Sequence, residues 1–171
     1  MIKIRKGVFE TNSSSVHSIV IDVSQEPCVV DDVLTIAGGE YGWGYNELCS
    51  LEDRLNYLWQ GIWDCAGDKS PLGTHDEWRQ RIRKWLPNVS LEDVPEGGIG
   101  DDDDEYASWY FPGIDHGGEL YVLLRQFMSN DKLLGDFLTN ENSHVICSND
   151  NSDSYGFYYP DVPYIEFRKG N

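Results

Sequence analysis

Two short patterns in this chain bring together residue types that do chemistry: Ser15 with His17, and His144 with Cys147. Ser15 and His17 close the polar stretch Glu10, Thr11, Asn12, Ser13, Ser14. On a strand, alternate residues share a face and lie about 7 Å apart along the backbone. An imidazole base is then within range of a serine nucleophile. The segment lacks the G-x-S-x-G elbow that presents such a serine at a strand end. The competing reading of the Glu10–His17 stretch is a structural turn, because Asn and Ser side chains hydrogen-bond nearby backbone.

His144-x-x-Cys147 has ligand types and a separation found in zinc sites. Positions i and i+3 face opposite sides of an ideal strand, so a shared metal requires a turn or bulge there. His17 and Cys28 complete one four-ligand set, His17/Cys28/His144/Cys147, for a structural zinc. A rival set is Cys65, His75 and His116, placed around the loop after the first helix. Cys49 and Cys65 are excluded as co-ligands, since a helix rising 1.5 Å per residue holds them about 24 Å apart. The four cysteines include no C-x-x-C pair and are expected to be reduced thiols. Asp101–Glu105 lacks the glycine and the spaced ligands of a calcium loop, and Asn149–Asp153 has spaced oxygens but its glycine, Gly156, comes too late. The loop Gly38–Gly44 has no G-K-[ST] ending and carries Glu40, so it is not a phosphate cradle.

Charge is the strongest signal. Thirteen Lys+Arg stand against 30 Asp+Glu, a net charge of −17 and a pI near 4.3. From Glu92 to Glu105 there are eight carboxylates and no cation, five of them consecutive: Asp101, Asp102, Asp103, Asp104 and Glu105. Tyr106 and Trp109 follow, with Tyr110 and Phe111 beside them. Such a surface repels bare nucleic acid and steers basic proteins toward it. The expected partner is therefore a basic protein that itself binds nucleic acid, docking on Asp101–Glu105, Tyr106 and Trp109. Arg79, Arg81, Arg83 and Lys84 form a basic cluster that either pairs with the acidic excursion or orients a partner.

These residues need a scaffold, and the chain supplies one. An aromatic content of 13% argues against disorder despite the charge. One domain over 1–171 is expected, with an acidic loop excursion at about 88–118. Lys3–Phe9 and Val16–Val23 read as two strands of a hairpin, and Val29–Ile36 as a weaker third strand. Ser50 caps a helix whose apolar positions run Leu51, Leu55, Leu58, Trp59, Ile62, Trp63 and Ala66. Thr74–Glu77 is a capping box opening a second helix that Pro87 ends, and a short loop predicts an antiparallel pair. Glu119–Met128 reads as a buried helix, and Asn130 caps another through Leu138. His144–Cys147 and Tyr164–Phe167 read as strands. This order predicts an α+β fold: a mainly antiparallel sheet of N- and C-terminal strands packed against about four helices. No apolar run reaches the length of a bilayer span. The basic N-terminus is followed by no apolar stretch of a secretory signal, so a cytoplasmic location is expected.

The segment RKGVFETNSSSVHSIVI also resembles the opening of a family of phage and prophage proteins from Gram-positive bacteria, with its F-E-T-N-S-S-S-x-H-S signature. FLTNENSHVICSNDN is similar to a segment near the end of such proteins. The resemblance implies a phage origin and no established activity. Small acidic phage proteins often inhibit host defence, anti-CRISPR proteins among them, so it points toward an inhibitor of a host enzyme such as a type II CRISPR nuclease. An enzyme built on the Glu10–His17 turn and a zinc-stabilised interaction module are the alternatives.

Overall fold

The computed structural model describes residues 3–6, 15–42, 44–94, 113–114, 120–149 and 159–169. Its centre is a five-stranded sheet. In chain order the sheet's strands are β1 (Lys3–Lys6), β2 (Ser15–Asp22), β5 (Asn46–Leu48), β8 (His144–Asn149) and β9 (Tyr164–Lys169). Their spatial order is β1-β9-β2-β8-β5. β9, β2, β8 and β5 are antiparallel to their neighbours, and β1 joins β9 in parallel. The α+β fold with a sheet of N- and C-terminal strands is as the pattern of elements predicts.

The expected β1–β2 hairpin does not form, because β9 lies between the two strands. β2 (SVHSIVID) holds the central position and is hydrogen-bonded along both edges. A β-branched strand gains most there, flanked by neighbours on each side. β1 reads KIRK and stands at the sheet's edge.

Four helices follow local signals closely. In α1 (Leu51–Cys65) the Ser50 hydroxyl accepts the Asp53 N–H at 3.1 Å. Leu55, Leu58, Trp59 and Ile62 are buried on one stripe. α2 (His75–Arg83) has the full capping box, with Thr74 accepting from Glu77 N and the Glu77 carboxylate accepting from Thr74 N. α3 (Tyr121–Ser129) and α4 (Asp131–Thr139) meet at Asn130, whose side chain accepts the Leu133 N–H at 3.2 Å. Among the described residues no helix is long and apolar enough to cross a membrane.

Short parallel pairings complete the chain. β3 (Thr35–Ile36) pairs with β6 (Ser90–Leu91), and β4 (Glu40–Tyr41) with β7 (Gly113–Ile114). The weak third strand thus shrinks to two residues, and the glycine-broken loop contains a short strand of its own. Pro27 lacks a donor N–H, and Val29 and Val33 are exposed at 57% and 83%, so 27–34 has too little to bury as a sheet strand.

The core lies between one sheet face and the helices. Ile19, Ile21, Val145, Cys147 and Phe167 pack there with Leu55, Leu58, Leu134 and Leu138. Arg54 sits within this core, 2% exposed. Its guanidinium donates to the carbonyls of Cys49, Leu138 (2.9 Å) and Ser143 (2.7 Å). It thereby joins α1 to the end of α4 and the approaches to β5 and β8. A Cβ on Gly135 of α4 would lie 2.7 Å from Trp85 Cε2 and 2.9 Å from Pro27 Cβ. Gly135→Ala should therefore lower stability by about 1–3 kcal/mol from overpacking, although alanine in an open helix gains about 0.5–1 kcal/mol over glycine. Urea unfolding checks the sign.

Candidate functional site

The signature-bearing segment enters the described structure at β2, where alternation sends its last two residues to opposite faces. His17 turns toward the helices and is fully buried. Its Nδ1 shares a 2.7 Å hydrogen bond with the Tyr57 hydroxyl on α1. Cys147 is its direct partner across β8, with Sγ 3.7 Å from the same nitrogen. Tyr41 meets the Tyr57 ring edge-on at 5.1 Å. Burial, reinforced by the neighbouring Cys147, pushes both phenols well above the ordinary tyrosine range. Both therefore remain protonated at physiological pH. The Tyr57 hydrogen bond joins His17, and with it the sheet, to α1. The Glu10–Ser14 part of the turn and the Ser15 side chain lie outside the described residues.

Ser18 faces the other way and is also fully buried. Its hydroxyl donates to Glu166 Oε1 at 3.1 Å, and Tyr159 donates to the same oxygen at 3.0 Å. Tyr159 stacks on Tyr164 with ring centroids 5.5 Å apart. His144 shares this face: Val20 pairs with both His144 and Glu166. Its Nδ1 lies 2.9 Å from the Asn142 carbonyl oxygen. The side of the sheet away from the helices is thus also buried, with Ser18, His144 and Glu166 set beside Val20 and Ile146.

This arrangement brings together only part of the expected zinc set. His17 and Cys147 are adjacent. His144 faces the opposite side, as unbroken strand geometry requires, and Cys28 is exposed with its N–H on Thr139 Oγ1 at 3.3 Å. In the rival set, Cys65 closes α1 and His75 opens α2. The His75 ring stacks on Trp63 at 4.1 Å and 7°. His116 lies outside the described residues. Among the described residues no group of three His, Cys, Asp or Glu side chains is placed to hold a metal ion.

Asp101, Asp102, Asp103, Asp104, Glu105, Tyr106 and Trp109 also lie outside the described residues. The fate of the cations is visible, however. Arg79 pairs with Asp76 at 2.7 Å and with Asp93. Arg81 and Lys84 both hold Asp131 at 2.7 Å, and Lys132 holds Asp136 at 3.0 Å. The basic cluster of α2 is therefore bonded to carboxylates at 76, 93 and 131. Arg83 at the end of α2 is exposed. Meanwhile Asp31, Asp32, Glu40, Glu47, Glu52 and Glu141 are exposed.

Sequence reading missed Tyr57, Glu166 and Arg54. Arg54 follows Glu52 and Asp53 and Tyr57 follows Asn56, so their local sequence does not mark them as buried, and their partners lie far along the chain.

Tyr57→Phe removes a buried hydroxyl from His17 and should lower stability by about 1–3 kcal/mol in denaturant unfolding. The Lys84 and Arg81 cations hold Asp131 below the usual carboxylate range. The fold thus favours its ionised form. That stability is present above the unfolded carboxylate pKa of about 4 and is lost as pH falls through the lower folded value. Asp131→Asn should cost no more than about 1 kcal/mol at pH 7, because the pair is partly solvated. In melting curves the gap to the parent should close near pH 3.

No family model matches this chain, and no curated protein or solved structure matches it either.

Proposed function

We propose that this protein is an acidic, phage-type inhibitor that occupies a basic nucleic-acid-binding surface of a host defence enzyme and blocks DNA from it. The observation that carries this reading is where the positive charge goes. Five cations, Arg54, Arg79, Arg81, Lys84 and Lys132, are bonded to carbonyls or carboxylates within the fold. An internal ion pair removes one charge of each sign, so the excess of 17 negative charges falls on groups without a cation. A field of that size raises encounter rates with a basic surface.

The resemblance of Phe9–Ser18 to phage proteins selects the target class to test first. A type II CRISPR nuclease holds its heteroduplex in a positively charged channel. Seventeen excess carboxylates on a small protein compete for the same cations as DNA, which carries one charge per about 1.7 Å of axis.

The test is binding of labelled DNA to a guide-loaded type II CRISPR nuclease as this protein is titrated in. Inhibition should be strong at about 0.05 M salt and at least roughly tenfold weaker at about 0.5 M, where the Debye length is only a few ångströms. Neutralising Asp101–Glu105 to Asn and Gln should weaken inhibition by roughly tenfold. Unchanged DNA binding at every salt concentration would overturn this target. Salt-independent inhibition would replace charge competition with shape complementarity.

A further inference from the structure

A groove of about 320 Å³ opens where the N-terminus of α1 approaches the end of α4. The half-buried Val30 and Leu51 give it apolar walls over the buried Leu138, while Asp32 and Glu141 supply carboxylates. Both acids are exposed, as are their neighbours Asp31 and Glu52. Arg54 also borders the groove, but its guanidinium is turned onto the Cys49, Leu138 and Ser143 carbonyls. Its charge is thereby directed into the fold.

Beside the groove runs the segment carrying Val29 and Val33, exposed at 57% and 83%. The third exposed large hydrophobic side chain among the described residues is Val122, at 36%. Apolar side chains concentrated beside a concave acidic site are a mark of an interaction surface. Another cleft, about 350 Å³ between α2 and the α3–α4 junction, differs in charge. Its Asp131 already holds Arg81 and Lys84, and its Glu77 accepts the Thr74 N–H. Little uncompensated charge remains there to attract a ligand.

We infer that the α1–α4 groove seats an arginine- or lysine-bearing segment of the basic protein that the chain binds. This rests on the function proposed above and adds a second contact to the acidic run. Long cationic side chains lay an aliphatic stem on apolar surface and keep the charged head at polar groups. Here the stem lies along the half-buried Val30 and Leu51, and the head meets Asp32 and Glu141. A volume near the low end of ligand pockets, about 300–1,000 Å³, suits one or two such side chains. Arginine is enriched among the anchor residues of interfaces for this combination of contacts.

Cys49 borders the groove and is exposed, which provides a reporter. In a Cys28→Ser background, alkylation of Cys49 by N-ethylmaleimide is followed with and without a hexa-arginine peptide, whose binding is measured in parallel by anisotropy. A peptide held elsewhere on the acidic surface leaves the sulfur open to the reagent. A peptide seated in the groove covers the sulfur and slows alkylation. The expected result is slowing by at least about fivefold, with peptide binding weakened by a similar factor in Asp32→Asn/Glu141→Gln. That double variant should melt at the parent temperature. Neutralising Asp101–Glu105 should leave the protection of Cys49 in place. Peptide binding with Cys49 unprotected, or no peptide binding, would overturn the groove assignment. The acidic-inhibitor reading would still be decided separately by the DNA-binding assay.

Discussion

Strand β2 is buried on both faces, and most of the polar contacts in the fold's interior follow from that. Between a helical layer and a second buried layer, none of its side chains from His17 to Asp22 is left to water. His17 must find Tyr57 on one side, and Ser18 must find Glu166 on the other. An unsatisfied buried polar group costs about 1–3 kcal/mol, so each partner is required by β2's position. The strand's end is held in the same manner. Asp22 N donates to Ser143 Oγ, the Asn140 side chain donates to the Asp22 carbonyl, and Asn142 donates to its carboxylate. Through these bonds the α4–β8 turn is attached to the centre of the sheet.

The constraint also separates the chain's chemistry from its surface. Three residues that look reactive in sequence, His17, His144 and Cys147, are drawn into the interior with Ser18 and Glu166 as contacts of a doubly buried sheet. What the surface retains is charge. The α2 cations bond carboxylates close by, so the negative excess is left to face the surroundings. An acidic surface and a polar interior are therefore two outcomes of the same distribution of residues.

How much was legible differs by element. The caps at Ser50, Thr74 and Asn130 and the stripe Leu55, Leu58, Trp59, Ile62 were readable because a helix closes its bonds within four residues. The opposed directions of His144 and Cys147 were readable from the period of a strand. The β1–β2 hairpin was misread. Adjacent strands commonly pair, but here β9 brings a better partner from the far end of the chain, and Ser18 meets Glu166 across 148 positions. Nothing local announces such a pairing.

The sequence by itself determined the helices, the α+β class and the size and sign of the charge, because these depend on local periodicity and on composition. Only the tertiary structure decided that Tyr57 meets His17, that Glu166 meets Ser18 and that Arg54 joins the approaches to β5 and β8 to the end of α4. It also decided that Val30, Leu51 and Leu138 share a groove with Asp32 and Glu141. Those contacts join residues tens to more than a hundred positions apart. They exist only once the whole sheet and its helices have closed, so the order of residues along the chain carries no local trace of them.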